Sequence, residues 1–401
     1  MVRRNPCIAN IKAGYLFPEI AKRRREYAAA NPGAKIISLG VGNTTEPIPP
    51  HINAALVEGA RRLGTPDGYS GYQDEGLEEL REKISKVFYG GRFKAGEIFV
   101  SDGAKCDIGR LQLLFGRETG VAVQDPSYPV YVDGSVLAGA AGGHDGAGYD
   151  GIVYLPCTPE NGFFPDLSRL PSNTLIYFCS PNNPTGAVST VEQLSALVET
   201  ALGKKSLIIF DAAYSEYIRD PALPKSIFDI DGARECAIEV NSFSKPAGFT
   251  GIRLGWSVVP MELKYETGES VNADWSRICS TVFNGASNIA QAGGVAALDD
   301  EGRKETRSLT DFYLGNAKLI REVLQGLGIN CTGGDNSPYI WAHFPGRDSW
   351  AVFSEILEKC QVVTTPGAGF GPAGEGFVRF SAFGHRQDVE EACLRLGGLQ
   401  G

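Results

Sequence analysis

The stretch SFSKPAGFTGIR at residues 242–253 decides how this chain of 401 residues is interpreted. One apolar segment, 237–240, leads into it and a second, 256–259, leaves it, so we expect a buried strand on either side. Lys245 then sits on a turn at a strand end. Because burial disfavours the charged ammonium form, such a lysine has a lowered pKa, and its free amine can form a Schiff base with an aldehyde.

Hydroxyl and guanidinium groups surround this lysine in the sequence. Ser242, Ser244 and Arg253 are suited to gripping a phosphate. An amine beside a phosphate cradle suggests pyridoxal phosphate (PLP), whose aldehyde Lys245 would capture. The alternative for this stretch alone is a surface lysine and arginine on a loop, because short motifs often mislead.

Composition and charge exclude several classes of function. The hydrophobic content of 43% is ordinary for a globular protein, and the net charge of −9 argues against nucleic acid as a partner. No apolar run is long enough to span a bilayer, and the start of the chain lacks an apolar signal core. The nine cysteines form no C-x-x-C pair, and the four histidines are dispersed, so we expect reduced thiols and no metal. The expected compartment is the cytoplasm, or the plastid stroma if a transit peptide has been removed.

Short apolar segments alternate with helical ones from residue 98 onward. Such alternation indicates an α/β domain with a mainly parallel sheet that is covered on both faces. Ligands bind at the carboxyl ends of the strands in such sheets. We predict helices at 106–115, 128–137 and 191–202, and strands at 98–100, 121–123, 153–155, 175–179, 207–210, 237–240 and 256–259.

The pattern changes after residue 288 and predicts a second, smaller α+β domain. The N-terminal segment is expected to join it, because the α/β alternation begins only later. The predicted limits are therefore 1–47 for the N-terminal segment, 48–296 for the large domain and 297–401 for the small domain. Further predicted elements are helices at 17–25, 75–87, 301–327, 349–359 and 387–396, and strands at 35–39, 339–344, 362–365 and 376–382.

Asp211 ends one of the predicted strands. A carboxylate there would keep the pyridine nitrogen of PLP protonated, and this protonation makes the ring an electron sink. The alternative is an aspartate that caps the following helix. Tyr214, three residues on, is placed to hydrogen-bond the phenolic oxygen of the cofactor.

Three other strand ends carry candidate residues. Asn183 lies in the rigid turn SPNNPTG, whose alternative interpretation is a purely structural turn. The backbone N–H groups of Ala104 and Lys105 open a predicted helix and form an anion site for the cofactor phosphate. Tyr128 places an aromatic ring nearby, suitable for stacking on the pyridine.

Arg379 lies in a strongly apolar predicted strand. Because unpaired burial of a charge is costly, this arginine must face a cleft or an anion, and a carboxylate fits best. The alternative is a surface strand arginine. The nearby stretch GFGPAG at 369–374 matches G-x-G-x-x-G, but a strand pattern follows it and Pro372 breaks the turn, which argues against a dinucleotide site.

In this order, the candidate residues resemble the fold-type-I PLP-dependent aminotransferases. Longer phrases are similar to the LL-diaminopimelate aminotransferase family of the plant and algal type. Pro246, after the lysine, departs from the aromatic residue expected there. The matching positions are Tyr72, 103–105, Tyr128, 183–186, Asp211, Tyr214, 242–245, Arg253 and Arg379, and the matching phrases are 13–20, 68–72, 101–108, 158–166, 283–288 and 380–386.

The resemblance implies a fold like that of aspartate aminotransferase and a homodimer with shared active sites. In it, a large domain carries a mostly parallel sheet of seven strands, and a small α+β domain comes from both chain ends. It also implies transamination from glutamate to tetrahydrodipicolinate, giving LL-diaminopimelate and 2-oxoglutarate for lysine synthesis. The alternatives are a broader aminotransferase or a C–S lyase on this fold, and a PLP-sensing regulatory domain. The regulator would need a DNA-binding domain, for which the about 35 residues before the first strand are too few.

The resemblance further assigns roles to residues. Lys245 would be the general base, and Arg379 with Asn183 would fix the substrate α-carboxylate. Glu75 would reach across the dimer to the distal ammonium of diaminopimelate, although its alternative role is to open a helix. Tyr72 and Asn284 would reach into the active site of the neighbouring subunit. Donors to the distal carboxylate would be Lys105, Tyr15 and the backbone of Gly42, together with Asn284 from the partner chain.

Overall fold

A seven-stranded sheet lies at the centre of the computed structural model, which describes residues 1–11, 16–145 and 148–400. Its strands and those of the smaller sheets are β1 (Ile37–Ser38), β2 (Ile98–Ser101), β3 (Gly120–Asp125), β4 (Ile152–Pro156), β5 (Thr174–Cys179), β6 (Leu207–Asp211), β7 (Ala237–Ser242), β8 (Gly255–Val258), β9 (Cys331–Gly333), β10 (Tyr339–His343), β11 (Val362–Val363), β12 (Thr365–Pro366) and β13 (Phe377–Ser381).

Helices surround these sheets. Those of α type are α1 (Pro6–Asn10), α2 (Leu16–Ala30), α3 (Pro50–Leu63), α4 (Glu78–Tyr89), α5 (Ala104–Leu111), α6 (Val130–Ala138), α7 (Val191–Gly203), α8 (Val271–Val282), α9 (Asn288–Ala297), α10 (Asp300–Gly326), α11 (Ser349–Cys360) and α12 (Arg386–Leu396). No helix in the described ranges has the length and apolar character needed to cross a membrane.

The large sheet has the spatial order β2-β8-β7-β6-β5-β3-β4. Neighbours from β7 to β4 pair in parallel, and β8 runs antiparallel to both β7 and β2. Its strands are buried on both faces, because one core packs them against α3, α4, α7 and α9 and another against α5, α6 and α8. The mostly parallel, seven-stranded α/β sheet predicted from the sequence is therefore confirmed.

A four-stranded antiparallel sheet, with the order β12-β13-β10-β9, forms the C-terminal part of the structure. Its core includes side chains of α10, α11 and α12. The strand β1, near the N-terminus, pairs in parallel with β11, so both chain ends meet in this part. The domain limits 1–47, 48–296 and 297–401 stay a prediction.

Several boundaries differ from the sequence prediction. Helix α4 begins at Glu78 rather than at Glu75, and the expected strand 362–365 divides into β11 and β12, which pair with different partners. Helices α8 and α9 were not predicted. The signal for α8 was present, because Val271, Trp275 and Cys279 recur every fourth residue and are buried.

Candidate active site

A cleft of about 300 Å³ opens at the carboxyl ends of the parallel strands, the position expected for a ligand site in such a sheet. Residues from β10 and β13 close its other side. Most of the predicted site residues line it, namely Gly42, Ala104, Lys105, Tyr128, Asn183, Asp211, Tyr214, Ser242, Ser244, Lys245, Arg253 and Arg379.

Lys245 extends into this cleft from the turn after β7. Its amine donates a hydrogen bond to the carbonyl of Gly42 and lies 5.3 Å from the ring centre of Phe383. Burial, with the positive charges of Arg379 and Arg253, lowers the pKa of Lys245 to about 7. A large fraction of the amine is therefore neutral near neutral pH, as a nucleophile or a general base requires.

Asp211 ends β6 with its carboxylate buried beneath the cleft. One oxygen accepts from the backbone N–H of Ala213 at 3.0 Å and the other from the hydroxyl of Tyr131 at 2.7 Å. Burial raises the pKa of Asp211, while these two hydrogen bonds and the charge of Lys245 oppose the rise. Among the described residues it forms no ion pair, so this carboxylate can receive a cationic group of a ligand.

Donor groups gather around the start of α5. Arg253 lies so close to Gly103, the residue before α5, that a β-carbon on Gly103 would stand 2.6 Å from Nη2 of Arg253. Nη1 of Arg253 donates to Oγ of Ser244 at 3.4 Å, and the N–H of Ser244 donates to Oγ of Ser242 at 3.0 Å. A helix N-terminus, a guanidinium and two hydroxyl groups form a cradle that fits a phosphate.

Arg379, on β13, is fully buried at the other side of the cleft. Its Nη1 donates to Oδ1 of Asn183 at 2.6 Å and its Nη2 to the carbonyl of Gly40 at 2.5 Å. The rings of Tyr339 and Phe370 lie 4.3 and 4.8 Å from its Cζ. Within the described part of the chain, Nε has no hydrogen-bond partner and the guanidinium no carboxylate, so it is prepared for an anionic ligand.

The family model for aminotransferase class I and II matches residues 34–396 of this chain. The chain belongs to the class I and II aminotransferases. The family expected from the sequence is thereby confirmed.

Relatives of this aminotransferase agree with that assignment. A probable chloroplastic LL-diaminopimelate aminotransferase of Oryza sativa subsp. japonica is 56% identical over 402 residues, which cover 99% of this chain and 86% of that protein. The solved structure of L,L-diaminopimelate aminotransferase from Chlamydomonas reinhardtii has a TM-score of 0.96 and 55% identity, covering 100% of this chain and 99% of its own. An aspartate aminotransferase double mutant from Thermus thermophilus shares the fold alone, with a TM-score of 0.84, 22% identity and 99% of both chains covered.

Two tyrosines in the cleft of the aminotransferase were missed by sequence reasoning. Tyr131 donates to Asp211, and the hydroxyl of Tyr339 lies 2.7 Å from that of Tyr214. A signal existed for Tyr131, because it lies three residues after Tyr128 in the predicted helix 128–137, a spacing that brings two helical side chains together. In the structure the two rings stand 5.9 Å apart. Nothing in the sequence indicated that Tyr339 faces the cleft.

Three predicted site residues lie outside this cleft. Tyr72 and Asn284 are both exposed, and the relative exposure of Tyr72 is 84%. The carboxylate of Glu75 accepts from Nη1 of Arg81 at 2.9 Å and from Oγ of Ser276 at 2.8 Å. Since α4 begins only at Glu78, the alternative that Glu75 opens this helix is wrong.

The loop that carries Tyr72 and Glu75 packs beside the segment that carries Asn284. Ser276, which bonds to Glu75, lies on α8, and Nδ2 of Asn288 donates to the carbonyls of Ser70 and Gly71 at 3.0 Å. The three residues therefore belong to one surface region of the aminotransferase. Tyr15, the remaining predicted residue, lies outside the described residues.

Proposed function

We propose that this aminotransferase binds PLP and transfers an amino group from glutamate to tetrahydrodipicolinate, giving LL-diaminopimelate and 2-oxoglutarate in lysine biosynthesis. The observation that carries the proposal is the amine of Lys245, with its lowered pKa, in a cleft shared by Asp211 and two arginines that pair with no carboxylate among the described residues. The similarity to LL-diaminopimelate aminotransferases supports the choice of substrate.

The residues of the cleft fit PLP. Asp211 would hold the pyridine nitrogen, and Tyr214 the phenolic oxygen. The phosphate would be held at the start of α5, where Ala104 and Lys105 offer N–H groups, and by Ser242, Ser244 and Arg253. When bound, PLP supplies an electron sink for the electrons that remain on the substrate Cα after its proton is removed.

Different side chains of the cleft bind the substrate and transfer its proton. Arg379 and Asn183 hold the α-carboxylate of the amino donor, which fixes the direction of the Cα–H bond. The neutral amine of Lys245 takes the proton from Cα, and the carbonyl of Gly42 is placed to accept a hydrogen bond from that amine. Tyr214 is held in turn by its hydrogen bond to Tyr339.

A screen of amino donors tests this proposal. We expect the purified protein to be yellow and its absorption band to shift when glutamate or LL-diaminopimelate is added. Meso-diaminopimelate, lysine and aspartate should react much more slowly. A preference for aspartate or lysine would contradict the proposed substrate, and release of a thiol from a sulfur amino acid would indicate a C–S lyase.

We further propose that the aminotransferase works as a homodimer in the cytoplasm or the plastid stroma. The exposed Tyr72 and Asn284, which lie outside the cleft of their own chain, support sites shared between subunits. The relative from Oryza sativa is named chloroplastic, which supports a location in the plastid stroma.

Glu75 would contribute to substrate choice across this dimer. Its carboxylate has about four lone-pair sites, of which Arg81 and Ser276 occupy two, so it can still accept from an ammonium. We expect Glu75→Gln to lower kcat/KM for LL-diaminopimelate by a factor that corresponds to about 1.5–3 kcal/mol of lost transition-state stabilisation, the contribution of a charged hydrogen bond. Glutamate, which lacks the distal ammonium, should be much less affected. Equal losses for both donors would refute the role.

Mixed dimers separate a role across the interface from one within the chain. Co-expression of Lys245→Ala chains with Glu75→Gln chains should produce one dimer site with native Lys245 and native Glu75. Activity toward LL-diaminopimelate should then exceed that of the Glu75→Gln homodimer. The matched control is Glu79→Gln, which removes an exposed carboxylate on α4 that lies 3.8 Å from the amine of Lys83. This control should leave kcat/KM for both donors unchanged.

A further inference from the structure

The stretch GFGPAG at 369–374, which resembles a dinucleotide motif in the sequence, lies across the carboxyl end of β3. The N–H of Ser127, just after that strand, donates to the carbonyl of Phe370 at 2.9 Å. A short 3-10 helix, Pro372–Gly374, follows within the same stretch. The segment 369–374 therefore joins the end of the large sheet to the strand β13 that carries Arg379.

Asp125, the last residue of β3, holds this segment from below. Its two carboxylate oxygens lie 3.1 and 3.2 Å from the N–H of Ala373, which donates to them. Gly371 passes so close that a β-carbon would stand 2.2 Å from Oδ1 of Asp125, and its φ of +133° also favours glycine. The contact depends on both the carboxylate and the absence of a side chain at residue 371.

The carboxylate of Asp125 is buried without a compensating cation among the described residues. Burial raises the pKa of Asp125 to about 6, and the hydrogen bond from Ala373 opposes the rise. At pH 8 the group is nevertheless ionised, so its hydrogen bond is charge-assisted. A buried charge of this kind is costly, and the hydrogen bond from Ala373 in segment 369–374 offsets part of this cost.

Phe370 transmits the position of this segment to the cleft. Its ring covers one side of the Arg379 guanidinium at 4.8 Å, and Tyr339 covers another part at 4.3 Å. The ring also packs edge-on against Trp341 at 6.0 Å. A shift of segment 369–374 would therefore remove a wall of the Arg379 site.

We propose that Asp125 is a positioning residue that fixes segment 369–374 across the end of β3 and so holds Phe370 against the guanidinium that receives the substrate α-carboxylate. The inference rests on the proposed function of Arg379. Every amino donor carries an α-carboxylate, so the effect of Asp125 extends to all donors. It acts on substrate binding more than on the proton transfer at Lys245.

The first test is Asp125→Asn, which keeps the shape of the side chain and removes its charge. At pH 8 we expect the KM for glutamate to rise about five- to tenfold, the difference between a charge-assisted and a neutral hydrogen bond, because the amide oxygen of asparagine can still accept from Ala373. We expect kcat to change less than about twofold. The matched control is Asp166→Asn, because exposed Asp166 caps a 3-10 helix through the N–H of Ser168 at 3.0 Å. A loss of kcat with an unchanged KM, or an equal rise of KM in the control, would overturn the proposal.

Two further measurements keep the test sharp if Asp125→Asn lowers stability. Gly371→Ala should also raise KM, and the double variant should raise it by less than the product of the single effects, because both changes break one contact. Hydrogen exchange of residues 367–379 should be faster in Asp125→Asn than in the control. Unchanged exchange in these residues would overturn the proposal for Asp125. Inactivity of the unaltered protein with glutamate would instead overturn the proposed function, and the exchange result would then decide the role of Asp125.

Discussion

Replacement of Lys245 by alanine should lower kcat by at least about 10⁴-fold, the upper range of what a positioned general base contributes. The amine is the group in the cleft whose pKa, about 7, suits proton transfer at neutral pH. Alanine removes both this base and the nucleophile that would capture the cofactor aldehyde. The cradle of Arg253, Ser242 and Ser244 remains, so PLP should still be retained without a covalent bond.

Single-turnover absorption measurements with glutamate would check this result. We expect bound cofactor in Lys245→Ala, together with a half-reaction too slow to complete in hours. Lys304→Ala is the control, because Lys304 is exposed on α10 and pairs with Glu301 at 3.1 Å. Turnover in Lys245→Ala close to that of this control would remove the lysine from the mechanism.

The substitution Arg379→Lys should lower kcat/KM by about 2–5 kcal/mol, or about 30-fold to several thousandfold, for every amino donor. A lysine cannot reproduce the planar fork that bonds Asn183 and Gly40 while leaving further N–H donors for a carboxylate. Part of the loss comes from the carbonyl and amide oxygens that are left without donors in a buried site.

Steady-state kinetics with glutamate and LL-diaminopimelate, measured side by side, would check this expectation. Both donors should lose a similar factor, since each presents an α-carboxylate. Arg386→Lys is the control, because Arg386 also stacks on an aromatic ring, that of Phe312 at 5.2 Å, but lies outside the cleft. A variant that reacts with glutamate as fast as this control would show that Arg379 does not receive the carboxylate.

The large sheet could be predicted from the sequence because its strands are continuous apolar runs that end in polar residues. Asp211 and Asn183 could be placed at one edge from that rule alone. The hydrogen bond from Lys245 to the carbonyl of Gly42 could not be predicted, because it joins positions 203 residues apart in the chain. Such a contact depends on how the segment after β1 packs against the turn after β7, which no local pattern encodes.

Other parts of the site were hidden for different physical reasons. The hydroxyl of Tyr131 reaches Asp211 through the orientation of α6, which residue spacing does not determine. The surface with Tyr72 and Glu75 was assigned by resemblance rather than by pattern, and a single chain brings neither residue to the cleft. Helix α9 was missed because it contains two adjacent glycines, and glycine has a low helix propensity.

The pairing of β1 with β11 has a consequence for synthesis on the ribosome. Residues 37–38 leave the exit tunnel early, but their partners at 362–363 are translated only near the end. The strands of the large sheet are all made by residue 258, so that sheet can assemble cotranslationally while the N-terminal segment waits. The pocket between Gly40, Gly42 and Arg379 is thus completed last, and a nascent chain that stalls before β13 carries the lysine without the arginine.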